Sequence, residues 1–213
     1  MFWIYDGNFN AIDSMSYSWL GMGSSPCYVR LPNDNYLFSD GNHNLVEFNS
    51  KGIVKKIRYD SYITRMLVDQ QDNLWISTLK NGIDYYRSAD VVNTKKKTIL
   101  NGEFALVGDE DHEGGIWVYS RSKGLGYLAN QQLEFLNNFQ SGPNNAIAVS
   151  DPNIIIANEK SIYQYDVKNN LFVSKVDFNF KRSISDLYYQ KSNEVIWITG
   201  RQQIAWLKNG TKE

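Results

Sequence analysis

Leu74-Trp75-Ile76, a polar turn through Lys80-Asn81-Gly82, and then Ile83 to Tyr86 together read as a short β-hairpin. The apolar triplet recurs as Phe2-Trp3-Ile4, Tyr36-Leu37-Phe38, Ile116-Trp117-Val118, Ile154-Ile155-Ile156 and Ile196-Trp197-Ile198. Its central positions are 3, 37, 75, 117, 155 and 197, with spacings of 34, 38, 42, 38 and 42. A period of this size constrains the fold more than any single residue. Each copy must be one supersecondary unit that buries its apolar face against the next.

Two further strands flank most hairpins. An alternating run ending in an Asp turn precedes the triplet at Thr64 to Asp69, Phe104 to Asp109 and Ala146 to Asp151, with Ile184 to Tyr188 a fourth copy. A more polar run follows at Gly52 to Ile57, Lys97 to Leu100, Leu133 to Leu136 and Leu171 to Val176. Four short antiparallel strands per repeat predict an all-β protein, a single β-propeller domain or fragment over residues 1–213 with about six blades. The triplet is apolar at successive positions because neighbouring blades cover both of its faces. The outer strand is charged, as an open edge must be. A buried Trp removes roughly 150–250 Å² from water, worth up to about 4–6 kcal/mol before entropy, so Trp75, Trp117 and Trp197 read as packing between blades. The chain begins within strand two of one blade and ends after Leu207 within strand three of another, so an outer strand is expected to be missing there. An arc cut from a larger propeller is the first expectation and a loosely closed ring the second.

The best copy carries Asp69, Asp72-Asn73-Leu74-Trp75-Ile76, Thr78, Gly82-Ile83 and Tyr86. A second carries Asp109, Gly115-Ile116-Trp117-Val118, Gly124-Leu125 and Tyr127. This motif resembles the two-component regulator propeller repeat. That family forms the periplasmic sensor region of bacterial hybrid two-component sensor histidine kinases. The resemblance implies a non-enzymatic segment that recognises an oligosaccharide and works with the remaining blades or domains of a longer inner-membrane protein. It also implies a periplasmic location, with the cell surface as the alternative. No kinase or DNA-binding segment lies in these 213 residues.

Composition narrows the classes further. At 42% hydrophobic and 14% aromatic residues the chain has ample material for a core. A net charge of −1 gives no global attraction to nucleic acid or to an anionic membrane. No apolar run approaches the ~18 residues of a membrane span, and residues 1–7 have no leader pattern. The lone Cys27 excludes an internal disulfide and any multi-cysteine zinc site. One free thiol fits a cytosolic protein, or equally a periplasmic domain whose signal sequence has been removed.

In a propeller, the turns between strands two and three share a face with the connections between blades. Lys80, Arg121, Lys123, Lys160 and Arg201 therefore fall on one face, with His43 and with Lys181-Arg182 on a connection. They are the candidate ligand-binding residues, suited to an anionic glycan because Lys and Arg pair with carboxylate or sulfate. Trp206 and Tyr127 are candidate sugar platforms. The opposite face receives the turns around Asp69, Asp72, Asp109, Asp111 and Asp151, together with Lys95-Lys96-Lys97. There Asp109, Asp111 and Glu113 alternate before Gly114 as calcium-loop ligands do, but Ser120 stands where the distal Glu is needed, so an ordinary turn is expected instead. No cofactor is expected. No Gly-rich loop opens a helix, and His43 and His112 fall on opposite faces. Two alternatives stand beside the sensor. One is a protein-interaction platform that self-associates through open strand edges. The other is a polysaccharide lyase or glycosidase recruiting Asp40 or Glu159.

Overall fold

Strand two of each repeat is apolar at consecutive positions, and the fold uses both of its sides. The computed structural model describes residues 2–5, 11–15, 27–40, 43–89, 95–129, 132–136, 144–150, 152–158, 161–179, 184–200, 203–208 and 211–212. The first repeat is a two-stranded hairpin of β1 (Phe2–Tyr5) and β2 (Ala11–Met15). The other five repeats are four-stranded meanders, with strands hydrogen-bonded in chain order.

Blade 1 is β3 (Tyr28–Arg30), β4 (Tyr36–Ser39), β5 (Asn44–Asn49) and β6 (Gly52–Arg58). Blade 2 is β7 (Ile63–Val68), β8 (Leu74–Thr78), β9 (Ile83–Tyr86) and β10 (Lys97–Ile99). Blade 3 is β11 (Ala105–Glu110), β12 (Ile116–Ser120), β13 (Gly124–Ala129) and β14 (Gln132–Phe135). Blade 4 is β15 (Asn144–Ser150), β16 (Asn153–Asn158), β17 (Ser161–Asp166) and β18 (Leu171–Asp177). Blade 5 is β19 (Ile184–Gln190), β20 (Val195–Gly200), β21 (Gln203–Lys208) and β22 (Thr211–Lys212).

Two expectations are corrected here. Five repeats rather than six form four-stranded blades among the described residues. The last blade also has its outer strand, because β22 pairs with Leu207 and Lys208 of β21.

Four buried clusters hold the blades together, one at each junction of consecutive blades. Leu37, Leu45, Ile63, Leu74 and Ile76 join blades 1 and 2. Trp75, Ile83, Val107, Ile116 and Val118 join blades 2 and 3. Trp117, Tyr119, Leu125, Ile154 and Ile156 join blades 3 and 4. Ile155, Ala157, Ile162, Leu187 and Ile198 join blades 4 and 5. Alternation within strand two thus sends Leu74 and Ile76 backward and Trp75 forward, as period-two geometry requires. The outer strands depart from the expected charged edge. Ile53 and Val54 on β6, and Leu171, Phe172 and Val173 on β18, are exposed beside their lysines.

The turn from strand one to strand two is a repeated object. The backbone N–H groups of Leu31, Asp69 and Asp111 donate to the carbonyls of Asn35, Asn73 and Gly115, and those of Asp34, Asp72 and Gly114 donate back. The latter three residues have φ of 64°, 62° and 82°, and Glu194 takes the same place in blade 5 with φ 56°. In the copies built on Trp75 and Trp117 an Asp completes the turn. Asp69 Oδ1 accepts from the N–H groups of Gln71 and Asn73, and Asp111 Oδ1 from those of Glu113 and Gly115.

The innermost strands β7, β15 and β19 each skip one residue in pairing, between Ile63 and Arg65, Asn144 and Ala146, and Ile184 and Asp186. Such bulges re-aim the residue that follows. Arg65 reaches out of blade 2 to the carbonyl of Ile147 in blade 4, 3.1 Å away, and to Asp186 of blade 5 at 3.6 Å. It crosses between blades that are not neighbours in the chain.

Candidate functional site

The turns between strands two and three close on a short polar residue at the end of strand two. Thr78 Oγ1 accepts from the Asn81 N–H, Ser120 Oγ from that of Lys123, and Asn158 Oδ1 from that of Ser161. These bonds hold the turn tips upright on the face that also carries the blade connections. Gly82 is tied in from beneath, its N–H donating to the Glu103 carbonyl at 2.9 Å with φ at 74°. A Cβ there would stand 2.2 Å from the Ile99 carbonyl oxygen, so only glycine lets the turn lie on the next connection.

Lys80 and Arg121 come together. Both line an open groove of about 590 Å³ at the junction of blades 2 and 3, with Leu79, Gly102, Glu103 and Phe104. The Arg121 guanidinium lies over the Phe104 ring, 4.8 Å from its centre, and the Arg121 N–H donates to the Phe104 carbonyl. Glu103, the acidic member, accepts from the hydroxyls of Ser120 and Ser122 at 2.6 Å each. Those hydroxyls, and Lys123 at 3.4 Å, hold its carboxyl below the usual glutamate value. Lys123 is therefore the counter-ion of Glu103 and not a groove cation. Next along the face, the Leu79 N–H donates to the Tyr62 carbonyl, and Tyr62 carries an exposed ring. The His43 ring sits 4.0 Å from that of Tyr62. A row thus runs from His43 and Tyr62, through Leu79 and Lys80, to Phe104 and Arg121. Lys160, Arg201 and Lys181-Arg182 lie outside the described residues.

Tyr62 and Phe104 hold the same place in successive blades, just before strand one, and were not singled out as site residues because that position carries no motif of its own. The platforms suggested by sequence are placed elsewhere. Tyr127 packs on Trp117 with ring centres 4.7 Å apart, and burial with Asp111 beside it pushes its hydroxyl up to about 12. Trp206 lies directly across from Trp197 within blade 5 and is half-buried.

On the opposite face the acidic turn is built inward. Asp111 Oδ2 accepts from Trp117 Nε1 at 3.2 Å, Asp109 Oδ1 accepts from the Glu110 N–H, and Glu113 faces His112 in solvent. Among the described residues no three acidic, histidine or cysteine side chains are grouped to hold a metal ion. Lys96 also leaves that face, reaching Asp60 at 2.8 Å and buried Asp84 at 3.3 Å. Burial works against its charge, but those carboxylates outweigh it and raise its proton affinity. Asp84 also accepts hydrogen bonds from Tyr59 and Thr98.

Comparison with solved structures fixes the architecture. A streptogramin B lyase matches with a TM-score of 0.67 at 17% identity, covering 88% of this chain and 66% of that one. An inactive virginiamycin B lyase from Staphylococcus aureus, with quinupristin, matches at 0.66 and 15%, covering 83% and 63%. The extracellular domain of the hybrid two-component system BT3049 from B. thetaiotaomicron matches at 0.60 and 19%, covering 84% of this chain and 27% of that one. The fold is a β-propeller. The chain spans about two thirds of the lyases it matches and about a quarter of the two-component domain. No protein-family model matches, and no curated protein matches in sequence.

Within this propeller no described helix is long and apolar enough to cross a membrane. The open groove between blades 2 and 3 brings the half-buried Phe104 ring together with Lys80 and Arg121. A second cavity between the same blades on the opposite face, beside Asp69, Trp75, Tyr85 and Lys97, is about 150 Å³ and mostly apolar.

Proposed function

We propose that this chain is a ligand-sensing extracytoplasmic segment of a two-component signalling protein, recognising an oligosaccharide and carrying no catalytic activity of its own. The observation that carries this reading is the row from His43 and Tyr62 to Phe104 and Arg121 on the turn face. Sugars are bound by flat apolar rings flanked by polar groups. The exposed ring of Tyr62 supplies the first, and Lys80, Ser122 and Arg121 the second. A groove of this volume falls within the range of small-ligand sites. The likeness to a two-component extracellular domain supports the sensor role and a place outside the cytoplasm.

Thermal-shift titration against a panel of neutral and acidic oligosaccharides, with chromatographic analysis of products, tests this. Saturable stabilisation without product formation is expected. Silence across the panel overturns the reading. So does product formation lost on changing His43 or Arg121, which would make the protein an enzyme.

A second reading, an interaction platform, is favoured by the exposed apolar residues of β6 and β18 on open sheet edges. Light scattering that finds a strict monomer at high concentration removes self-pairing from it.

A further inference from the structure

We infer that the groove between blades 2 and 3 selects an acidic sugar, whose carboxylate or sulfate is held jointly by Lys80 and Arg121; this rests on the oligosaccharide reading above. Arg30, Lys56, Arg65, Lys96, Lys123 and Lys175 all lie within 4.0 Å of a carboxylate. Among the described residues Lys80 and Arg121 have no such partner. Several other described cations, Lys51, Arg58, Lys97 and Lys191 among them, have no carboxylate partner either, and what sets Lys80 and Arg121 apart is that they share one groove. The lining acid cannot serve them, since Glu103 is taken up by Ser120, Ser122 and Lys123. With that set neutralised, the groove keeps the two positive charges of Lys80 and Arg121.

Arg121 is also pre-set for the task. Its guanidinium plane is steadied over Phe104, so less side-chain freedom is lost when its N–H fork meets two oxygens of one anionic group. Lys80, on the neighbouring blade, adds a point charge from a different direction. Gly102 has φ 80°, and a Cβ built on it meets nothing within 4 Å, so no side chain obstructs the groove at that point.

The test is calorimetric titration of the intact chain with tetragalacturonate and a chondroitin sulfate tetrasaccharide. Their methyl-esterified and desulfated counterparts keep the backbone and remove the charge. At least one acidic probe should bind at least about tenfold tighter than its uncharged counterpart, and weaken by about tenfold between about 50 and about 500 mM salt. Lys80→Gln and Arg121→Gln, both at exposed turn tips, should each weaken it by about tenfold while leaving the melting temperature unchanged. Equal binding of charged and uncharged forms overturns the acidic specificity and leaves the oligosaccharide reading standing. Unchanged affinity in both variants removes the site from this groove. Failure of every probe, charged and uncharged, overturns both readings.

Discussion

The indole Nε1 of Trp75 donates to Asp69 Oδ2 at 2.8 Å, and Trp117 repeats the bond to Asp111 at the same separation of six residues. Each tryptophan is both a wedge between blades and a tether for the turn beside it. Asp69 is buried and also receives the N–H groups of Gln71 and Asn73. Replacing it with Ala leaves the buried Trp75 indole donor unmet and removes the half-buried bonds from Gln71 and Asn73. Asp69→Ala should lower unfolding free energy by about 3 kcal/mol in urea titration, and Trp75→Phe by about 1–2 kcal/mol. In a double-mutant cycle the two losses should add to less than their sum, since both remove the same bond.

Two glycines separate steric from conformational demand. A Cβ on Gly82 would stand 2.2 Å from the Ile99 carbonyl oxygen and 2.3 Å from that of Leu100, at a φ of 74°. Gly102 has a similar φ of 80° and open space around it. Gly82→Ala should therefore cost at least about 3 kcal/mol and Gly102→Ala about 1 kcal/mol. Chemical denaturation of the two variants side by side measures the gap, and equal losses would contradict the close approach at Gly82.

Burial raises the carboxyl of Asp109 above its ordinary value of 3.8, against the N–H groups of Glu110 and Val149 and the charge of Arg65. The folded chain then binds this proton more tightly than the unfolded chain. The associated stability is fully present below the ordinary value and is lost as pH rises through the raised one. Relative to Asp109→Asn, the wild type should lose stability as pH climbs from about 4. Denaturation midpoints across pH for both proteins read this directly, and parallel curves would remove Asp109 from the pH response.

Arg65 joins the carbonyl of Ile147 and the carboxylate of Asp186 from three different blades. Asp186 is well exposed, so the ion pair itself is weak and the carbonyl contact carries more of the effect. Arg65→Met should destabilise by about 1–2 kcal/mol, with a coupling to Asp186→Asn below about 1 kcal/mol. A coupling above about 2 kcal/mol would show that the pair is shielded from water.

What could be read from sequence was local and periodic. Leu74, Trp75 and Ile76 face alternate neighbours because strand geometry alone dictates it, whereas the Asp-closed turn is shared by blades 2 and 3 and in blade 3 falls on Asp111, two residues past Asp109, after a bulge in β11. Interactions between distant segments left no such mark. Nothing around Arg65 announces Asp186, and nothing around Lys96 announces the buried Asp84 that blade packing places within its reach. Tyr62 and Phe104 hold equivalent places before strand one, but an aromatic side chain there does not by itself announce a surface row. Lys80 and Arg121 were visible as turn-tip cations, but their meeting in one groove depends on how blades 2 and 3 lean together.

That groove lies over a joint. Blades 2 and 3 are separate sheets, held by the cluster around Trp75 and Val107 and by single bonds such as the Gln70 N–H to Glu110. A molecule seated between Lys80 and Arg121 would act as a splint across the seam, stiffening the hinge between two sheets more than either sheet itself. Occupancy would then be felt as a change in how freely blades 2 and 3 rock against each other.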